Sequence, residues 1–269
     1  MYTFFFRTTV FLVGIYFLLC VIYYLIQEKI IFLPEKLPAD YQFNISLSFE
    51  EVFLDTEKDV TIHGLHFKKS NSKGVILYFH GNAGSLERWG DVAHYFDKYP
   101  YDFFIYDYRT YGKSNGKRSE EAMYYDAEHC LKYLLSTFSE NQLILYGRSL
   151  GSGIAAKMAT LYDVNKVILE TPYYNLYDVA RHYAPFIPYK LLMRYSFRSD
   201  LWLPKIKCPV YIFHGTKDKI IPHSSALKLA EKLNGQGKFV SIPKGRHNNL
   251  AEFELFNREL NLILSDIHY

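Results

Sequence analysis

Five short apolar runs constrain this chain more than any other feature. They read GVILYFHG (74–81), FFIYDYR (103–109), NQLILYG (141–147), KVILET (166–171) and PVYIFHG (209–215). An uninterrupted run of this kind suits a strand buried on both faces. Residues 85–97, 119–137, 150–161 and 223–233 place apolar side chains at helical spacing between the runs, and a strand at 238–242 and a helix at 249–264 follow. Strands alternating with helices predict an α/β architecture, a mostly parallel central sheet wound by right-handed crossovers and flanked by helices. Ahead of it, EEVFLD and DVTIHGLHF (within 49–68) read as an antiparallel pair; the second alternates as a half-buried strand does.

The N-terminus obeys a different rule. From Thr8 to Ile26 the chain reads TTVFLVGIYFLLCVIYYLI, with no charged residue. As a helix it spans about 28 Å, close to the roughly 30 Å of a bilayer's hydrocarbon core. Arg7 precedes it, Gln27, Glu28 and Lys29 end it, and Tyr23 and Tyr24 sit where interfacial aromatics favour. A signal peptide has a shorter apolar region and a small-residue cleavage site, which is missing here. The expectation is a retained transmembrane anchor at 8–27 behind a tail at 1–7. A neck at 28–48 with two prolines then leads into a domain at 49–269. Lysines and arginines flank the run on both sides, so the positive-inside rule does not orient it. The commoner fate of an N-terminal signal anchor puts the domain on the exported side.

Composition narrows the function classes. The chain has 269 residues, 49% hydrophobic and 22% charged, with a net charge of +3 carried by scattered Lys and Arg. No basic run points to nucleic acid. Cys20, Cys130 and Cys208 have no metal spacing, so neither a metal nor an organic cofactor is implied. Oligomeric state leaves no mark in the sequence.

Four loops at strand ends carry chemistry. Gly147-Arg148-Ser149-Leu150-Gly151 is a G-x-S-x-G between a buried strand and a helix. A serine on so sharp a turn is lifted above the sheet, and small residues are needed two positions either side because strand and helix pass close together. The Leu150 N–H, at the helix start, can donate to an oxyanion. His80-Gly81-Asn82-Ala83-Gly84 follows the first apolar run. Asp218 closes His214-Gly215-Thr216-Lys217-Asp218, where a carboxylate can fix a histidine tautomer. His247 stands in Gly245-Arg246-His247-Asn248-Asn249, and the order Ser, Asp, His separates it from the other histidines; His94 and His223 read as solvated helix positions. Glu170 also ends a buried strand and is a second candidate acid.

HGNAG, DYRTYGKSNG, YGRSLGSG, HGTKDKIIP and GRHNN together resemble the alpha/beta-hydrolase superfamily, in its membrane-anchored branch similar to serine aminopeptidase-like hydrolases. The resemblance covers roughly 50–266. It implies the alpha/beta-hydrolase fold with a small cap insertion at about 171–205, nucleophile Ser149, acid Asp218, base His247, and oxyanion donors at Asn82 and Leu150. Thr110 departs from the family's frequent D-Y-R-G-Y-G. The leading expectation is hydrolysis of a carboxylic ester or thioester through an acyl-enzyme. A peptidase of the same fold is the alternative, and it wants an acidic cluster in the cap, where only Asp178 and Asp200 stand. A non-catalytic membrane scaffold is the third, and it usually loses a triad member. Residues 171–205 are dense in aromatics, which either pack the cap or form an apolar acyl pocket opening toward the bilayer. The partner expected is a small-molecule or lipid-like acyl substrate.

Overall fold

The structure is a computed structural model and describes residues 2–265 apart from 234 and 236. Its frame is a sheet of eight strands: β1 (Glu50–Glu57), β2 (Val60–Phe67), β3 (Val75–Phe79), β4 (Asp102–Tyr106), β5 (Leu143–Arg148), β6 (Lys166–Glu170), β7 (Val210–Gly215) and β8 (Gly237–Ile242). They lie in the order β8-β7-β6-β5-β3-β4-β2-β1. β2 runs antiparallel to β1 and to β4, and every other pair is parallel. The helices are α1 (Tyr2–Ile31), α2 (Leu86–Trp89), α3 (Val92–Phe96), α4 (Glu120–Leu135), α5 (Leu150–Met158), α6 (Leu176–Tyr183), α7 (Tyr189–Leu192), α8 (Ser199–Trp202), α9 (His223–Ala230) and α10 (Glu254–Leu264).

The apolar runs explain the layers. β3 is buried along its whole length, and alternate residues serve opposite sides. Val75, Leu77 and Phe79 join the core under α4 and α5, while Ile76 and Tyr78 join the core under α2, α3 and α10. A strand covered on both faces gains nothing from polar alternation. α4 starts where Ser119 accepts the Ala122 N–H, with Glu120 and Glu121 in the first turn.

Several expectations change in detail. β2 is buried almost throughout rather than half-buried; the alternating, half-wetted strand is β1 at the sheet edge. β2 lies between β1 and β4, and Phe43 stacks on its His63 while Phe49 packs against its Phe67. The helix expected at 85–97 is two short ones, parted at Gly90 and Asp91. The one expected at 249–264 opens with a separate 3-10 turn at Leu250–Glu252. Thr110 has φ +74, a left-handed backbone that disfavours a β-branched residue and suits the family's glycine. Below it, the Arg109 guanidinium forks onto Asp126, both buried, which ties this loop to α4.

α1 is longer than the expected span and continues through Ile31, so the neck begins at Phe32. That residue is buried against Tyr195, with Arg118 over its ring. Leu33 and Pro34 then pair in parallel with Ala83 and Gly84. One stripe of α1 docks on the cap. Tyr16 donates to the Phe186 carbonyl, Tyr23 meets Tyr189 edge-on at 5.3 Å, and Cys20 is buried. Gln27 is fully enclosed: its Nε2 donates to the carbonyls of Tyr24 and Leu192, and its Oε1 accepts the Arg194 N–H at 2.7 Å. The cap is held from below by Glu120, whose carboxylate accepts the backbone N–H groups of Ser196 and Phe197.

Candidate active site

The site is built around one backbone turn. Ser149 has φ 51 and ψ −116, a conformation that costs an L-residue of order 1–3 kcal/mol and persists only where the surroundings over-determine it. Here they do. The Ser149 N–H donates to the Glu170 carbonyl on β6 at 2.9 Å, and its carbonyl accepts from the Ser152 N–H and hydroxyl. A Cβ on Gly147 would fall 2.6 Å from the Gly151 oxygen, and one on Gly151 only 2.1 Å from the Phe79 oxygen. Strand and helix therefore meet at backbone contact, as the spacing of the two glycines predicts.

The loop after β8 brings His247 over that turn. Its Nε2 lies 3.0 Å from Ser149 Oγ, and its Nδ1 lies 2.7 Å from Asp218 Oδ2. A carboxylate only accepts, so Nδ1 carries the proton and Nε2 is left to accept the serine hydroxyl. Asp218 Oδ1 accepts the N–H groups of Ile220 and Ile221 at 2.8 and 2.9 Å. Its side chain has no exposed surface. Burial alone raises that carboxyl, but the bond and charge of His247, with the Ile221 N–H, outweigh it and hold the group below its ordinary value. His214 Nε2 stands 3.6 Å from the same carboxylate. Burial pushes that imidazole down to about 4, against the pull of Asp218.

Glu170, the rival acid, is engaged elsewhere. It accepts from Tyr146 Oη at 2.6 Å and pairs with Arg148 at 3.3 Å. Among the described residues no hydrogen bond joins it to His247. Arg148 also lies over the Trp89 ring and reaches Asn248, so it braces the loop that carries His247.

Asn82 and Leu150 flank Ser149 in one cavity of about 460 Å³. Among the described residues no hydrogen bond claims either N–H, while the side-chain amide and the carbonyl of Asn82 are both engaged. Its side-chain amide donates to the Ile31 carbonyl, and its own carbonyl accepts from the Leu33 N–H and the Tyr111 hydroxyl. Leu176, Val179, Tyr183, Tyr189 and Met193 of the cap line the cavity. The opposite wall was not foreseen in the sequence: it is Tyr23, Ile30 and Ile31 of α1. The available signal was Gln27, a lone amide four residues beyond Tyr23 on an apolar helix, where a buried polar group needs partners from another element. His223 is likewise not simply solvated; it is half-buried, bonded to Ser241 and packed edge-on to His214.

A serine hydroxyl, a tautomer-fixed imidazole, a buried carboxylate and two free N–H groups can together perform acyl transfer. Among the described residues no cluster of ligating side chains could hold a metal.

The depressed Asp218 value sets a stability signature. A carboxyl whose folded value lies below its unfolded one adds stability that is complete above the unfolded value, about 3.9, and is lost as pH falls through the folded value. The melting temperatures of the wild type and Asp218→Asn should therefore differ by a constant amount from neutrality to about pH 5 and converge below about pH 4. A gap that widens in acid would contradict this.

The family described as Serine aminopeptidase, S33, matches residues 70–199. Protein bem46 of Schizosaccharomyces pombe is 29% identical over 230 residues, 80% of this chain and 75% of that protein. The lysophosphatidylserine lipase ABHD12 of Mus musculus is 28% identical over 260 residues. That match takes in 76% of this chain but 63% of the lipase, so the chain spans less than two thirds of that relative's length. In fold, it is similar to the Pyrococcus furiosus esterase Pf2001, with a TM-score of 0.67 at 18% identity, over 87% of this chain and 98% of the esterase. The eight-stranded sheet and the turn at Ser149 give the chain the alpha/beta-hydrolase fold, and these likenesses support a hydrolase similar to members of the alpha/beta-hydrolase family.

Proposed function

We propose that this protein is a serine hydrolase, anchored in a membrane by α1, that cleaves a carboxylic ester or thioester with a long apolar acyl group. The observation that carries the reading is the unbroken bond chain Ser149–His247–Asp218 at the floor of an apolar cavity. Ser149 Oγ attacks the acyl carbonyl while His247 Nε2 takes its proton. The N–H groups of Asn82 and Leu150 hold the oxyanion that forms. Collapse expels the alcohol or thiol, which takes the proton from His247. Water, deprotonated by His247, then attacks the acyl-enzyme and releases the acid. Asp218 orients the imidazole and stabilises its cation.

Two alternatives fare worse. A peptidase releasing N-terminal residues wants free carboxylates in the cap. Asp178 is bonded to Lys228, and Asp200 forks with Arg198. A scaffold has no use for a strained serine at hydrogen-bond distance from a histidine. The lipase named among the relatives acts on a lysophospholipid, which is consistent with an ester of this class.

Ser149→Ala should abolish fluorophosphonate labelling and lower ester turnover by about three or more orders of magnitude. Asp218→Asn should cost far more activity than Glu170→Gln. Ordinary turnover without Ser149 would overturn the mechanism, and the reverse ranking would move the acid to Glu170.

An acyl chain entering the cavity gains roughly 0.8 kcal/mol per buried CH₂, about fourfold in kcat/KM. Across p-nitrophenyl esters, kcat/KM should rise from acetate toward an optimum at medium or longer chains. A steady fall from acetate through octanoate would rule out the acyl pocket.

The catalytic domain is assigned to the exported side, on the commoner fate of an N-terminal signal anchor. Protease added outside intact cells should digest the domain and leave α1 in the membrane. A protected domain reverses the orientation, and a mature N-terminus beyond residue 20 removes the anchor.

A further inference from the structure

We infer that the cap is itself a membrane-inserted element, seated in the hydrocarbon beside α1, so that the cavity above Ser149 opens into the lipid. The inference rests on α1 spanning the bilayer and goes beyond it in saying what lies against the cap.

Depth comes first. Tyr16 Oη donates to the Phe186 carbonyl at 2.9 Å. Tyr16 lies ten residues before Ile26, the end of the uncharged run, or about 15 Å along the helix axis. A helix that crosses a core of roughly 30 Å must carry that position well into it, whatever its tilt. The loop joining α6 to α7 goes with it.

The cap surface fits that medium. Phe186 and Leu191 are each 84% exposed, and Tyr183 59%. The rim of the cavity is apolar too, with Ile30 of α1 and Ile220 both about half exposed. α6 turns Leu176, Val179, Ala180 and Tyr183 inward to the cavity. Within 179–195 Arg194 pairs with Glu28 at 3.1 Å, while Arg181 and Lys190 have no acid in the segment and have stems long enough to reach from the edge of the hydrocarbon to anionic headgroups.

The loop backbone is the second, independent sign. In hydrocarbon a bare carbonyl or N–H has no water to bond. Here Pro185 and Pro188 carry no N–H. The Ala184 carbonyl accepts from Tyr189 Oη and the Ile187 N–H, and the Phe186 carbonyl from Tyr16 Oη. The Ile187 carbonyl accepts the Tyr189 N–H, and the Pro188 carbonyl those of Leu191 and Leu192. Two tyrosine hydroxyls are thus spent on this loop's carbonyls, and among the described residues the Pro185 carbonyl and the Phe186 N–H are the loop groups left without a protein partner.

The full-length protein in vesicles of lipid brominated at mid-chain tests this. Single tryptophans are placed at Phe186→Trp and Leu191→Trp, at Leu12→Trp on the exposed side of α1, and at Leu161→Trp on a distant surface. The wild-type emission of Trp89 and Trp202 is subtracted. Emission from positions 186 and 191 should lose most of its intensity, as at position 12, with position 161 unaffected. Quenching at 12 without quenching at 186 and 191 overturns the inference and leaves the anchor standing; no quenching at any position overturns both. Neither outcome depends on catalysis, so failure of the serine-hydrolase reading is seen separately in the Ser149→Ala assay. In the double variant Phe186→Asp and Leu191→Asp, turnover of a long-chain ester dissolved in vesicles should fall by roughly tenfold or more. Turnover of a water-soluble short ester should persist. Equal retention of both activities also overturns the inference.

Discussion

The contact between the β5–α5 turn and its neighbours governs the rest of the molecule. Gly147 and Gly151 let strand and helix meet at backbone distance, and that approach forces Ser149 to φ 51. The strain is held by hydrogen bonds from β6 and α5, and the buried parallel strands cannot shift to relieve it without losing the core on both faces. Every other functional group is placed relative to this turn. Asp218 and His247 arrive from the C-terminal ends of β7 and β8, where loops of a parallel sheet converge. Asn82 arrives from the end of β3.

How much of this was legible depends on which interactions are local. The five buried strands, the turn at Ser149 and the loops of Asp218 and His247 were readable because short-range rules fix them: apolar runs, glycine spacing, strand-end loops. Glu170 shows where local rules stop. Its position at a strand end fits a catalytic acid, and only the side chains of Tyr146 and Arg148 show that it is occupied. The burial of β2 is not legible in its alternating pattern, which says nothing of the residues at 43–49 that cover its second face.

The second role of α1 is not legible in its sequence. Its apolar length describes a solvent preference and is silent on which stripe docks. The stripe is set by Tyr16, Tyr23 and Gln27, whose partners lie in the cap, with Cys20 buried on the same side. The same helix end bonds Asn82 through the Ile31 carbonyl and leads directly into the pairing of Leu33 with Ala83. The apolar helix, the cavity wall and the loop of Asn82 are thus one continuous packed unit rather than a tether and a separate domain.

The enclosed amide of Gln27 also bears on how the chain is made. α1 leaves the ribosome before the cap does, and the Leu192 carbonyl and the Arg194 N–H that Gln27 needs lie 165 and 167 residues later. Until the cap is synthesised and packed, the helix holds this polar group with only the Tyr24 carbonyl of its own turn for company. Its Oε1 has no protein partner until the Arg194 N–H arrives. Closure of the cavity above Ser149 is therefore a late event in synthesis, and the bonds from Ser149 through His247 to Asp218 form late as well, because Asp218 and His247 follow the cap in the chain.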